Sequence, residues 1–186
     1  MDLILASQSP RRSELLRNAG LAFQVRAKPV EEVRAVGEPP LAYAKRLARA
    51  KAEAAWEGKK EIVLGADTIV VAGDDVLEKP ADLAAVRAML ATLSGREHLV
   101  ITGICLRHEG GSIVDCESTR VHFAVLDPDE IASYAASGEP MDKAGAYAIQ
   151  GLASKFVDRI EGCYFNVMGL PVARVYRHLK ELQKTY

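Results

Sequence analysis

The stretch IVLGADTIVVAGDDVLEKP occupies residues 62–80. Its first part, Ile62-Val63-Leu64-Gly65-Ala66, is an unbroken apolar run of strand length that leads into Asp67-Thr68, the pattern of a buried strand ending in polar groups. Beyond it, Ile69 to Val71 and Val76 to Glu78 flank Gly73-Asp74, a turn pair suited to a hairpin. A two-residue loop there sets Thr68 opposite Lys79. Asp67 and Lys79 are then expected to approach one pocket despite their separation in sequence.

The flanking sequence alternates helix and strand signals. Residues 3–6 read as a buried strand. Ser9 is placed to cap the helix that follows, with Pro10 at its first position and Gly20 at its end. Phe23-Gln24-Val25 is a short strand candidate, and residues 41–56 read as a helix rich in alanine and long side chains. A further helix runs from about residue 82 to Leu93, before Ser94-Gly95. Strands over 98–107 and 112–125 join around Gly110-Gly111, with His98, Val100, Thr102, Ile104 and Leu106 on one period-two face of the first. Asp127-Pro128-Asp129-Glu130 has the form of a capping box, opening a helix that stops at Gly138. Pro171 starts a last helix in which Val172, Val175 and Leu179 share a face. This order points to α/β or α+β architecture. One compact domain over residues 1–186 is expected, with room for two lobes around a cleft.

Composition narrows the function classes. The chain has 24 basic and 25 acidic residues and a formal net charge of -1, so broad affinity for nucleic acid or for an anionic membrane is not expected. Three cysteines, Cys105, Cys116 and Cys163, are an odd count for a disulfide scaffold, and no run is long and apolar enough for a signal peptide or a membrane span. A soluble cytoplasmic protein is the expectation. His98, His108, His122 and His178 show no zinc-site spacing. Neither GxxxxGK[ST] nor GxGxxG occurs, so any nucleotide chemistry must come from dispersed side chains and a helix terminus.

Three regions carry such chemistry. Ser7-Gln8-Ser9-Pro10-Arg11-Arg12 joins a strand to a helix amino terminus, where unpaired N–H groups, short hydroxyls and guanidinium forks suit phosphate oxygens. A capped surface helix with two solvated arginines fits the same residues. In the second region, Asp67 beyond its strand is placed to bind a cation or orient water, and Lys79 to bind phosphate. Lys51 shares a helical face with Ala44, Ala48 and Ala55; it either snorkels to solvent or points into a charged cleft. In the third region, residues 139–151, Asp142 is a cation or water ligand, Lys143 a phosphate ligand, and Gln150 both a donor and an acceptor for a base edge. A structural loop with satisfied polar groups is the alternative. Glu31 and its neighbour Glu32 are candidates to help hold a cation, and Arg96 to join a phosphate site.

Taken together, SQSPRR at 7–12, GADTIV at 65–70, EKP at 78–80, SGR at 94–96, EPMDKAGAYAIQG at 139–151 and NVMGLP at 166–171 resemble, in order, the motifs of the Maf family of nucleotide pyrophosphatases. The resemblance implies an α/β fold of the Maf/ITPase-like kind, an elongated mixed β-sheet flanked by helices, with a nucleotide cleft between two lobes. It also implies a homodimer, and a divalent metal, Mg2+ or Mn2+, used to hydrolyse the bond between the α- and β-phosphates. Carried onto this sequence, Ser7, Arg11, Arg12, Lys51 and Lys79 look like phosphate-handling residues. Asp67 looks like the essential acid, with Glu31 assisting the metal site; Asp142, read as a cation ligand from its own segment, is the third metal candidate. The DKAGAYAIQG stretch resembles the subgroup that acts on dTTP and UTP, and Gln150 that subgroup's specificity residue. A non-catalytic nucleotide-binding regulator of cell division is the alternative of a different class.

Overall fold

The computed structural model describes residues 2–58 and 60–185. Its elements are β1 (Asp2–Leu5), α1 (Pro10–Asn18), β2 (Gln24–Val25), α2 (Pro40–Ala55), β3 (Glu61–Ala72), β4 (Asp75–Leu77), α3 (Leu83–Leu93), β5 (Glu97–His108), β6 (Gly111–Phe123), α4 (Pro128–Ala136), β7 (Val157–Glu161), α5 (Tyr164–Val167) and α6 (Val172–Thr185). A seven-stranded sheet runs β2-β1-β3-β5-β6-β7, with β4 paired to β3. β1 is parallel to β2 and β3, whereas β4 and β7 pair antiparallel, so the sheet is mixed. This is the mixed α/β architecture expected. The register Val70↔Leu77, Val71↔Val76, Ala72↔Asp75 is the one a two-residue turn at Gly73-Asp74 dictates.

The chain divides into two compact units: residues 1–68, 102–117 and 169–186 form one, and residues 69–101 and 118–168 the other. In the first, the small side chains of α2 lie directly against the sheet. A Cβ at Gly65 of β3 would stand 2.1 Å from the Ala48 carbonyl, and one at Gly103 of β5 would stand 2.3 Å from that of Ala44. Neighbouring strands thus carry a glycine each where the helix backbone touches them, and no other residue fits. Ile4, Ala6, Ala48, Ala52, Ala55, Val63 and Cys105 form the core beneath, with Trp56 and Val114 against it. Both faces of β5 are buried from Val100 to Leu106, with α2 against the Gly103 face; the period-two pattern read from its sequence is only one of its two inner faces. Arg26 grips the buried Glu61 through both carboxylate oxygens at 3.0–3.2 Å, and also donates to the Ala55 carbonyl at the end of α2.

The second unit is organised around aromatic rings. Phe123 meets His98 and Tyr147 edge to face at 5.1 and 4.8 Å, and Tyr134 meets Phe156 at 5.4 Å, the arrangement ring quadrupoles favour. Asp127 and Glu130 form the reciprocal capping box anticipated for α4.

Other local expectations needed revision. Ser9 stands at the N-cap of α1 but makes no cap bond with its side chain; instead the Ser9 N–H donates to Ser7 Oγ at 3.2 Å. The strand expected to reach residue 125 stops at Phe123, after a register shift against β7 between His122 and Phe123. Residues 139–156 form three short 3-10 turns, and β7 and α5 follow where only short apolar runs were legible.

Candidate active site

Alternation along β3 sets the geometry of the first unit. Gly65 and Asp67 are two residues apart and share a face, so the same face that admits α2 at Gly65 meets α2 again at Asp67. Lys51, one turn along from Ala48 on the buried stripe of α2, lies there. Its Nζ donates to Asp67 Oδ1 at 2.5 Å and stands 2.7 Å from Glu32 Oε1. At 15% side-chain exposure, Lys51 does not snorkel outward; it bridges two carboxylates. Of the two adjacent glutamates it is Glu32 that meets Lys51; Glu31, the candidate read from the sequence, is exposed.

Arg12 completes this group. Its guanidinium is buried: Nε donates to the Gly169 carbonyl (2.8 Å), Nη1 to Ser7 Oγ (3.0 Å) and Nη2 to Thr68 Oγ1 (3.0 Å), while Thr68 Oγ1 is 2.9 Å from Thr102 Oγ1. Burial pushes the Arg12 pKa down, opposed by the charge of Asp67 nearby, with smaller influences from Arg11 and Glu32. A guanidinium remains charged even so. The solvated-arginine reading therefore fails for Arg12; Arg11 is half-buried. Three of Arg12's five N–H donors are engaged, and Lys51 has two carboxylate neighbours for three donors. Both cations keep N–H groups for an incoming anion. Ser7, whose oxygen accepts from Arg12 and Ser9, keeps its hydroxyl proton to donate as well.

The remaining candidates belong to the second unit. The Gly145 N–H donates to the Glu78 carbonyl at 3.2 Å, and a Cβ on Gly145 would fall 2.8 Å from Val70, so the 142–151 segment docks beside the residue that precedes Lys79. Lys79 itself is exposed, as is Arg96. Lys143 is largely buried at 11% and directs its ammonium to the Glu139 carbonyl and to Asp142 Oδ1, both at 2.5 Å; Asp142 is 68% exposed. Gln150 is exposed. Tyr147 is buried, its Oη 2.8 Å from His98 Nε2.

Among the described residues, no group of three or more His, Cys, Asp or Glu side chains is arranged to hold a metal ion, so Asp67, Glu31 and Asp142 are not a preassembled ligand set. Asp67 and Glu32, however, approach one ammonium and offer hard oxygen donors. That suits a cation held by one or two carboxylates together with substrate phosphates, the mode Mg2+ commonly takes. Sequence reasoning missed Thr68, Thr102 and Gly169 as the clamp on Arg12. Their only signals were the placement of Thr68 beside Asp67 and of Gly169 within NVMGLP.

A buried cation clamped by a serine, a threonine and a carbonyl stands in the same unit as a second cation bridging two acids, and the donors left on both suit an anion. The chain belongs to the family described as "Maf-like protein", whose model matches residues 2–182. It is 56% identical to the dTTP/UTP pyrophosphatase of Koribacter versatilis (strain Ellin345), over 97% of this chain and 94% of that protein. It is also 51% identical to the dTTP/UTP pyrophosphatase of Anaeromyxobacter sp. (strain Fw109-5), over 96% and 88%. A solved nucleoside-triphosphatase, the dITP/XTP pyrophosphatase of Mycobacterium abscessus, overlays at a TM-score of 0.40 with 18% identity, covering 68% of this chain and 76% of that one. Among the described residues no helix is long and apolar enough to cross a membrane.

Proposed function

We propose that this protein hydrolyses nucleoside triphosphates between the α- and β-phosphates, with dTTP and UTP as its substrates, releasing the monophosphate and pyrophosphate. The observation that carries the chemistry is the Lys51 ammonium held between Asp67 and Glu32 beside the buried Arg12. The substrate class is supported by the names of relatives sharing about half of its residues over nearly the whole chain.

Triphosphate oxygens are bound by the donors that the fold leaves unfilled on Arg12, Lys51 and Ser7, with Arg11 and Lys79 adding positive charge. Asp67 and Glu32 would hold a divalent cation, Mg2+ or Mn2+, which would supply further neutralisation of phosphate charge. Asp67 orients the attacking water toward the α-phosphorus and accepts its proton. Its direction is set by Lys51, so the carboxylate does not reorganise as charge develops. Arg12 is held on three sides by Gly169, Ser7 and Thr68 and is likewise fixed before reaction. Lys51 is therefore both an electrostatic stabiliser and the residue that aims Asp67. Gln150 reads the pyrimidine edge, and its exposure leaves both the carbonyl and the NH2 of its amide accessible. Lys143 and Asp142 engage each other, which suits a part in shaping the segment rather than in direct contact with phosphate. Assembly as a homodimer, which the family resemblance implies, is tested by light scattering.

The decisive experiment is a screen of canonical and modified nucleoside triphosphates with and without added Mg2+ or Mn2+, detecting pyrophosphate and orthophosphate separately. Metal-dependent, stoichiometric pyrophosphate from dTTP and UTP is expected. Orthophosphate released stepwise, or binding without product, overturns the reading.

A further inference from the structure

Within the second unit, one carboxylate holds together a segment that has little regular structure of its own. Residues 139–156 contain only 3-10 turns, so few of their backbone groups are satisfied by repetitive hydrogen bonding. Glu139 supplies what is missing. Its Oε1 accepts from Tyr134 Oη at 2.9 Å, on α4, and its Oε2 accepts from the Leu152 N–H at 3.0 Å. Its own carbonyl takes the Lys143 ammonium at 2.5 Å. Between these anchors stands Gly151, where a Cβ would fall 2.3 Å from Glu139 Oε2; only a residue without a side chain lets the carboxylate reach Leu152. Gln150 is the residue immediately before this contact, and it is exposed.

We infer that Glu139 is a positioning residue for base recognition: by tying Leu152 to Tyr134 of α4 it fixes the backbone from which Gln150 is presented. The inference rests on the reading of Gln150 as the contact to the pyrimidine edge and extends it to a residue that touches no substrate. The physical reason is directional. An amide can distinguish uracil from cytosine only if its donor and acceptor are held in place, because a free side chain on a mobile turn can rotate to suit either base edge. A charge-accepted hydrogen bond to the backbone two residues away restrains that turn more strongly than a neutral one. Tyr134 fits the same purpose, since burial and its bond to Glu139 both push its phenol pKa up, keeping the hydroxyl a donor.

Steady-state kinetics with UTP and CTP on the full-length protein tests this, using E139A, E139Q, Q150A and the double variant E139A/Q150A. For E139A, KM for UTP is expected to rise on the order of tenfold with kcat within about twofold, and the preference for UTP over CTP to fall to the level of Q150A. E139Q, which keeps one acceptor for Leu152 while the Tyr134 hydroxyl can turn, is expected to retain most of the preference. In the Q150A background, adding E139A is expected to change the preference by less than about twofold, as two residues acting through one contact do. If E139A does not fold, Y134F, which removes one anchor only, is expected to show the same loss of preference in smaller measure. Wild-type KM and preference in a folded E139A, or losses that multiply in the double variant, overturn the inference while leaving the role of Gln150 standing. Undiminished preference in Q150A overturns the Gln150 reading, and the positioning role falls with it.

Discussion

Two regions of this chain are built on opposite principles. The Lys51–Asp67–Glu32 group and Arg12 draw chiefly on regular elements whose spacing comes from backbone contact: α2 presses on Gly65 and Gly103, and the side chains that follow along α2 and β3 meet as a consequence. The 139–156 segment has only short turns and is held by individual side chains reaching backbone groups, Glu139 to Leu152 and Lys143 to Glu139, over a floor of aromatic rings. The difference matches the role proposed for each. Charge stabilisation during phosphoryl transfer gains from rigidity and from groups fixed before the reaction. Base selection depends on one or two directional contacts, and a segment free of the sheet can change those without disturbing the chemistry.

That contrast can be tested at several strengths. The largest effect is expected at the reacting group. D67N should lower kcat by about a thousandfold while the melting temperature stays within a few degrees, since the amide keeps the shape but not the basicity. Turnover near wild type in purified D67N would show that the first region does not hold the acid. Next comes the backbone contact beneath it. G65A, whose new Cβ meets a main-chain carbonyl, should cost about 3 kcal/mol and lower the melting temperature by roughly 10 °C. An unchanged melting curve would mean that α2 can move off β3 and that the region is not fixed in the way described.

The third test lies in the second unit and concerns pH. Burial, with a smaller push from His122, lowers the His98 pKa from 6.5 to about 4. Above pH 6.5 neither folded nor unfolded His98 carries a proton, and its contribution is complete. As pH falls from 6.5 toward 4 the unfolded chain takes up a proton that the folded chain refuses, so stability drops, by about 3 kcal/mol at most. Below pH 4 no further loss comes from this group. Urea midpoints measured across that window should fall more steeply for the wild type than for H98N; parallel slopes would show that the aromatic floor admits the charged ring. The smallest effect is expected at the edge of the same unit. D127A removes the side-chain half of the α4 cap and should cost about 1 kcal/mol, read from chemical denaturation, with the UTP preference unchanged.

How much of this was legible in advance follows the same divide. The β3–β4 hairpin register, the span of α2, the capping box at Asp127 and the shared face of Ala44, Ala48, Lys51 and Ala55 all follow from local periodicity and turn chemistry, and the structure agrees with each. Ser7, Arg12, Lys51 and Asp67 were recognisable as candidates, and the fold brings them together in one unit. Glu31 was named on the family resemblance, and its neighbour Glu32 is chemically equivalent on paper; the path of the chain between β2 and α2 decides that Glu32 is the one beside Lys51. The turns after α4 carry no period, and β7 is short and mostly exposed, so neither left a pattern to read.

Sequence alone determined which residues have the chemistry to bind phosphate and activate water, and which segments form helix or strand, because those properties reside in side chains and in neighbours a few positions apart. The tertiary structure decided whether Lys51 meets solvent or Asp67, which glutamate joins it, and that Arg12 is buried and aimed by Ser7, Thr68 and Gly169. Those outcomes depend on contacts between residues up to 157 positions apart in the chain, which only the path of the folded chain brings together and nothing in their local sequence fixes.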